Sequence, residues 1–152
     1  MTRFFSLRRM APALVALAIL GLVLPASAGD EVPFKGLANA VVIDVEPAED
    51  GLHLTASATG LATHLGLFTR DERVVLHGDG TFEGTLVFIA ANGDELWADI
   101  DGGFISPTTA LGTYTFTGGT GRFANATGGA DVVAVTSDGI HIALTFEGTI
   151  EF

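Results

Sequence analysis

The sequence predicts an all-β fold: a single antiparallel β-barrel of about eight strands, with a two-sheet β-sandwich as the alternative. Three observations carry this expectation. Apolar residues recur with a period of two, turn signals recur at roughly ten-residue intervals, and no stretch after residue 30 shows a helical period. A sheet of so many strands, with no helix to cover it, usually closes to remove its edges.

Residues 1–28 read as a signal peptide and 29–152 as the barrel domain. "MTRFFSLRRM" carries Arg3, Arg8 and Arg9 and no acid. The apolar run "APALVALAILGLVLP" follows, shorter than the ~20 residues of a membrane-spanning helix. "ASA" then supplies an A-x-A cleavage site at Ala26–Ala28. The expected destination is the periplasm or the extracellular space, with no membrane contact after cleavage.

The remaining chain is the size of one domain and shows neither an internal repeat nor a linker. Its basic residues are Lys35, Arg70, Arg73 and Arg122; 4 against 18 acids leave a formal charge of −14. Such a field repels nucleic acid and anionic membrane surfaces, so neither is an expected partner. Cysteine is absent, which excludes disulfides and thiolate metal sites as sources of stability.

The strands are read as 37–46, 51–59, 62–69, 72–78, 81–91, 94–101, 111–118, 130–136 and a long last one over 139–151. In "GLHLTASATG", Leu52, Leu54, Ala56 and Ala58 share one face. In "ELWADID", Leu96, Ala98 and Ile100 do so, and in "GIHIALTFEGTIEF" Ile140, Ile142, Leu144, Phe146, Ile150 and Phe152. "PAEDG", "GDG", "NGD" and "SDG" mark turns. Nineteen of the 20 glycines lie after residue 28, above a background of about 7%, and they are scattered as turn glycines would be. In "TLVFIAA", Leu86 and Phe88 oppose Val87 and Ile89, so both faces are apolar. A neighbouring copy would bury the outer one, which predicts a homo-oligomer, a dimer or a trimer.

The most distinctive segment is "TFTGGTGRFANATGGA", Thr115 to Ala130. Gly119 to Ala124 fits G-x-G-x-x-A in form. A dinucleotide loop must open a helix whose N–H groups hold the pyrophosphate. Here two more glycines and the strand-like "DVVAV" follow within a few residues, leaving no room for one. The segment is therefore a strand connection, with Gly118, Gly119, Gly121, Phe123 and Gly128 as its structural turn residues.

This segment resembles the glycine-rich stretch of plant dirigent proteins and allene oxide cyclases, of form G-G-T/S-G-x-F-x-x-A-x-G. Gly118, Gly119, Thr120, Gly121, Phe123, Ala126 and Gly128 match it. "GTYTFTGG" and "GTFEGTLVF" fit more loosely. The resemblance covers the last 70 or so residues, and one segment of it is specific. It implies an eight-stranded antiparallel barrel, often trimeric, that holds a small hydrophobic molecule and guides its cyclisation or coupling. No catalytic residue of those families transfers to a position of this chain.

His53, His64, His77 and His141 fall in different strands or strand ends without metal-ligand spacing, so no metal is expected. Asp94, Glu95, Asp99 and Asp101 do not follow an EF-hand order and read as a solvated edge. No cofactor is implied. Tyr114, His64, His141 and Phe116 are the candidate ligand-binding residues. The expected function is binding of a small hydrophobic ligand in the barrel mouth. One alternative is a cyclase- or isomerase-like enzyme, for which a polar group in the lumen near a carboxylate would speak. A structural or outer-membrane barrel is the other; its apolar C-terminal strand ending in Phe152 is weighed against a chain with one Trp and one Tyr for aromatic girdles.

Overall fold

The computed structural model describes residues 29–152, and the signal peptide expected over 1–28 lies outside them. Eight strands follow one another: β1 Val32–Ala48, β2 Gly51–Ala62, β3 Gly66–Leu76, β4 Thr81–Ile89, β5 Glu95–Ser106, β6 Thr109–Gly119, β7 Thr127–Thr136 and β8 His141–Glu151. Each pairs antiparallel with its neighbour in the chain, and β1 pairs with β8 to close the barrel. Closure leaves no edge strand, and the sandwich alternative is set aside.

The period-two faces point as the sequence predicts. Ala56, Ala58, Leu96, Ala98, Ile100, Leu144 and Phe146 are buried inside, as are Leu86 and Phe88 on β4. Val87 and Ile89 are half-buried on the opposite face. Ile140 departs from the expected row: it sits in the turn before β8 and is exposed.

The segments expected at 62–69 and 72–78 are one strand, β3. The hairpin turn lies instead at 63–65, where His64 takes a left-handed φ of 65° and Gly66 one of 68°. The sequence reading breaks the chain at Arg70–Asp71 because the apolar alternation lapses there. The strand continues because Arg70 and Glu72 take the inward places between Phe68 and Val74, while Asp71 and Arg73 face solvent.

The barrel has two unlike ends. The turns around 63–65, 90–94 and 120–126 close one end. Phe34, Leu65, Phe68, Phe88, Leu96, Phe123 and Ile150 are all less than 2% exposed there and pack edge-to-face and stacked. The glycine-rich connection builds part of this closure. Gly118 and Gly128 take φ of 131° and 108°, a short 3₁₀ turn spans Gly121–Phe123, and Phe123 is driven into the core. Thr120 ties the turn to β5 by receiving the Glu95 N–H on its hydroxyl at 2.9 Å and donating its own N–H to the Glu95 carbonyl.

At the other end the strands splay less densely packed side chains. A bulge in β1 matters here: Val42 pairs with Ala56 and Asp44 with Thr55, so Ile43 is an extra residue. The bulge resets the alternation, because Val45 then pairs with Leu54 and faces the lumen. Unbroken alternation from Ala38, Ala40 and Val42 would have aimed Asp44 inward.

Candidate ligand site in the barrel lumen

The half of the lumen beyond the packed aromatics holds a cavity of about 320 Å³. This is at the small end of the range of small-molecule sites. Its walls are aliphatic: Leu52, Leu54, Val74 and Leu76 from β2 and β3, and Val132, Ala134, Ile142 and Leu144 from β7 and β8. Phe82 and Phe104 meet at its mouth, edge to face at 6.4 Å.

The floor is polar. Arg70 on β3 and Tyr114 on β6 reach across the lumen, and Arg70 Nη1 donates to the Tyr114 hydroxyl oxygen at 2.6 Å. Arg70 Nη2 pairs with Glu72 Oε2 at 2.8 Å. Both strand neighbours of this pair on β2 are alanines, Ala58 beside Arg70 and Ala56 beside Glu72. Their small side chains leave room for a guanidinium inside the barrel. The Arg70 guanidinium also lies 5.8 Å from the ring centroids of Phe88 and of Tyr114, within cation–π range.

Arg70 is 1% exposed and Tyr114 fully buried. Burial works against the Arg70 charge, but Tyr114 and Glu72 outweigh it, and its pKa stays above the ordinary value. Burial raises the Tyr114 pKa, and Glu72 adds to the rise against the opposing pull of Arg70. The floor is thus an ion pair between Arg70 and Glu72, joined to a neutral phenol. Arg70 Nε is the one buried side-chain nitrogen or oxygen left without a hydrogen-bond partner among the described residues.

The mouth is ringed by the turns between β1 and β2, β3 and β4, β5 and β6, and β7 and β8. In or beside three of them stands a histidine held by a carboxylate or carbonyl. His53 Nε2 meets Asp50 Oδ1 at 2.8 Å, His77 Nδ1 donates to the Asp50 carbonyl at 2.8 Å, and His141 Nδ1 meets Asp138 Oδ2 at 2.8 Å. The carbonyl of Asp50, with Glu83, raises the His77 pKa. The His141 side chain and the His141 and Ile140 N–H groups hold the Asp138 carboxyl well below the usual range.

Of the four candidate ligand residues, Tyr114 lines the cavity. Phe116 does not: it is buried against Phe34 at 4.9 Å, in the closed half. His141 is on the rim, exposed and bound to Asp138. His64 lies at the opposite end, donating to the Pro33 carbonyl at 3.1 Å with its ring 5.3 Å from Phe152. Arg70 and Glu72 are not among the candidates the sequence suggests, although it carries a signal for them: both are in phase with Phe68 and Val74. Among the described residues, no three His, Asp or Glu side chains cluster so as to hold a metal ion. Asp94 instead serves the glycine-rich turn, accepting from Asn92 Nδ2 at 3.0 Å and from the Arg122 N–H at 3.4 Å.

No protein-family model and no curated protein matches the chain. Among solved structures it is similar to a pterocarpan synthase dirigent protein, at 14% identity over 95% of this chain and 96% of the other, with a TM-score of 0.63. At that identity the likeness is one of fold. As a likeness of fold it spans nearly the whole barrel, where the sequence resemblance covers the last 70 or so residues.

Proposed function

We propose that this protein is an exported binding barrel that takes a small, largely apolar molecule into its lumen. The observation that carries this reading is the half-filled barrel: aromatic packing closes one end, while the other keeps a cavity of about 320 Å³ with aliphatic walls and a polar floor. Apolar walls with a few convergent polar groups are the usual build of small-molecule sites. Native mass spectrometry of the folded protein, purified without organic solvent, tests it. A defined extra mass that is lost on denaturation is expected. A barrel that arrives bare and takes up no apolar additive would sink the reading.

A cyclase- or isomerase-like activity is the second reading, favoured by the phenol of Tyr114 beside an Arg–Glu pair. Proton transfer works best with a group whose pKa lies near the working pH. The raised pKa of Tyr114 and the engagement of Glu72 by Arg70 therefore rank binding ahead of it. The outer wall weighs against a lipid-facing barrel, since Asp71, Arg73, Asp99, Asp101 and Asp131 are all exposed on it. The same wall carries Leu37, Leu61 and Leu67 side by side on β1, β2 and β3, exposed by 56%, 56% and 66%. We infer that this row is covered in a homo-oligomer, a dimer or a trimer. The same mass spectrum reads the assembly, and a monomer at working concentration would contradict it.

A further inference from the structure

We propose that the lumen selects a neutral ligand with a hydrogen-bond acceptor at one end, received at the Arg70–Tyr114 cross-link. The inference rests on the binding reading above and deepens it to a ligand class.

Two donors just beneath the floor lack an acceptor; neither presents open surface to the cavity, so an arriving oxygen reaches them as the floor side chains give way. Arg70 Nε–H is buried and has no partner among the described residues. The oxygen of Tyr114 accepts from Arg70 Nη1, and that is its one hydrogen bond among the described residues. Its own hydrogen is therefore free to be donated. A buried donor left unpaired is costly, so an acceptor oxygen brought by a ligand is favoured at this depth.

Charge decides what kind of oxygen. The Arg70 charge is already met by Glu72 at 2.8 Å inside the lumen. A carboxylate head would arrive as an unbalanced charge in an apolar chamber. It would also have to pass the turns at the mouth, which hold Glu49, Asp50, Asp79 and Asp138. A ketone, ester, ether or neutral hydroxyl meets the same donors without either penalty. Such a molecule would enter tail outward, with its apolar body against the aliphatic walls.

Three probes of matched size test this by equilibrium dialysis: acetylnaphthalene, ethylnaphthalene and naphthoate, each against the wild-type barrel and the Tyr114→Phe variant. Removal of the hydroxyl should weaken acetylnaphthalene by about two- to twelvefold, the range of one neutral hydrogen bond, and leave ethylnaphthalene unchanged. Comparing each probe with itself cancels its differing cost of leaving water. Naphthoate should bind the wild type more weakly than the ketone. Glu72→Gln, which uncovers the Arg70 charge, should shift preference toward naphthoate; this second variant keeps the test open should Tyr114→Phe fail to fold. Equal effects of Tyr114→Phe on the ketone and the hydrocarbon would overturn the acceptor proposal while leaving the binding reading intact. Naphthoate binding the wild type more tightly than the ketone would overturn neutrality. Binding of none of the three would overturn the reading on which the proposal rests.

Discussion

Arg70 and Tyr114 stand three strands apart around the barrel and meet across its lumen at 2.6 Å. The contact divides the interior. On one side lie the rings of Phe34, Phe68, Phe88 and Phe146; on the other lies the cavity. A guanidinium is tolerated at that depth because Glu72 balances its charge and two aromatic faces border it.

The balance makes a stability prediction. Glu72→Leu leaves the Arg70 charge buried and unpaired, and should cost about 3–5 kcal/mol in denaturant unfolding. The double change Arg70→Met with Glu72→Leu removes both charges and should cost clearly less than Glu72→Leu alone, because an apolar pair of similar volume is often neutral. A double variant less stable than the single would overturn this, showing that Arg70 stabilises the barrel even with Glu72 gone.

A second prediction concerns the chain's single tyrosine. Burial, with Glu72, raises the Tyr114 pKa above its ordinary value near 10. A raised folded pKa means that the stabilisation of the neutral phenol is fully present below the unfolded pKa. It is lost as pH rises through the folded value. Tyrosinate absorbance should therefore appear only above the ordinary range, and together with loss of the β-sheet circular dichroism. A titration at the ordinary value in a barrel that is still folded would contradict the burial of this phenol.

The third prediction separates two glycines. Gly128 takes φ 108°, and a Cβ there would strike the Thr149 carbonyl of β8. Gly128→Ala should destabilise by more than the roughly 1–2 kcal/mol of a left-handed residue alone, since a clash adds to the strain. Gly78, in the β3–β4 turn, has nothing within 4 Å of such a Cβ. Gly78→Ala should stay within about 0.5 kcal/mol of the wild type. Thermal unfolding of both variants checks the contrast, and equal midpoints would refute it.

The barrel was legible in the sequence because its walls obey one rule. Leu52, Leu54, Ala56 and Ala58 face inward in strict alternation, and so do Leu96, Ala98 and Ile100. The site was legible only through Tyr114, an aromatic that obeys the same rule. Arg70 and Glu72 were hidden because charged residues at inward positions look like a turn; they balance each other two residues apart, and the further partner of Arg70, Tyr114, lies 44 residues away. The β1 bulge was hidden for a related reason: pairing register, not composition, decides that Val45 faces in and Asp44 out. His64, a candidate ligand residue in the sequence, instead takes a left-handed turn and a carbonyl partner.

The aromatic closure of one end has a kinetic consequence. A tube with a blind end exchanges its contents in single file, through one opening, so a second molecule cannot push the first out from behind. Release must precede replacement. The residence time of a lumen ligand is then set by its own departure past Phe82 and Phe104, and an excess of competitor fills the vacated barrel without hastening the exit.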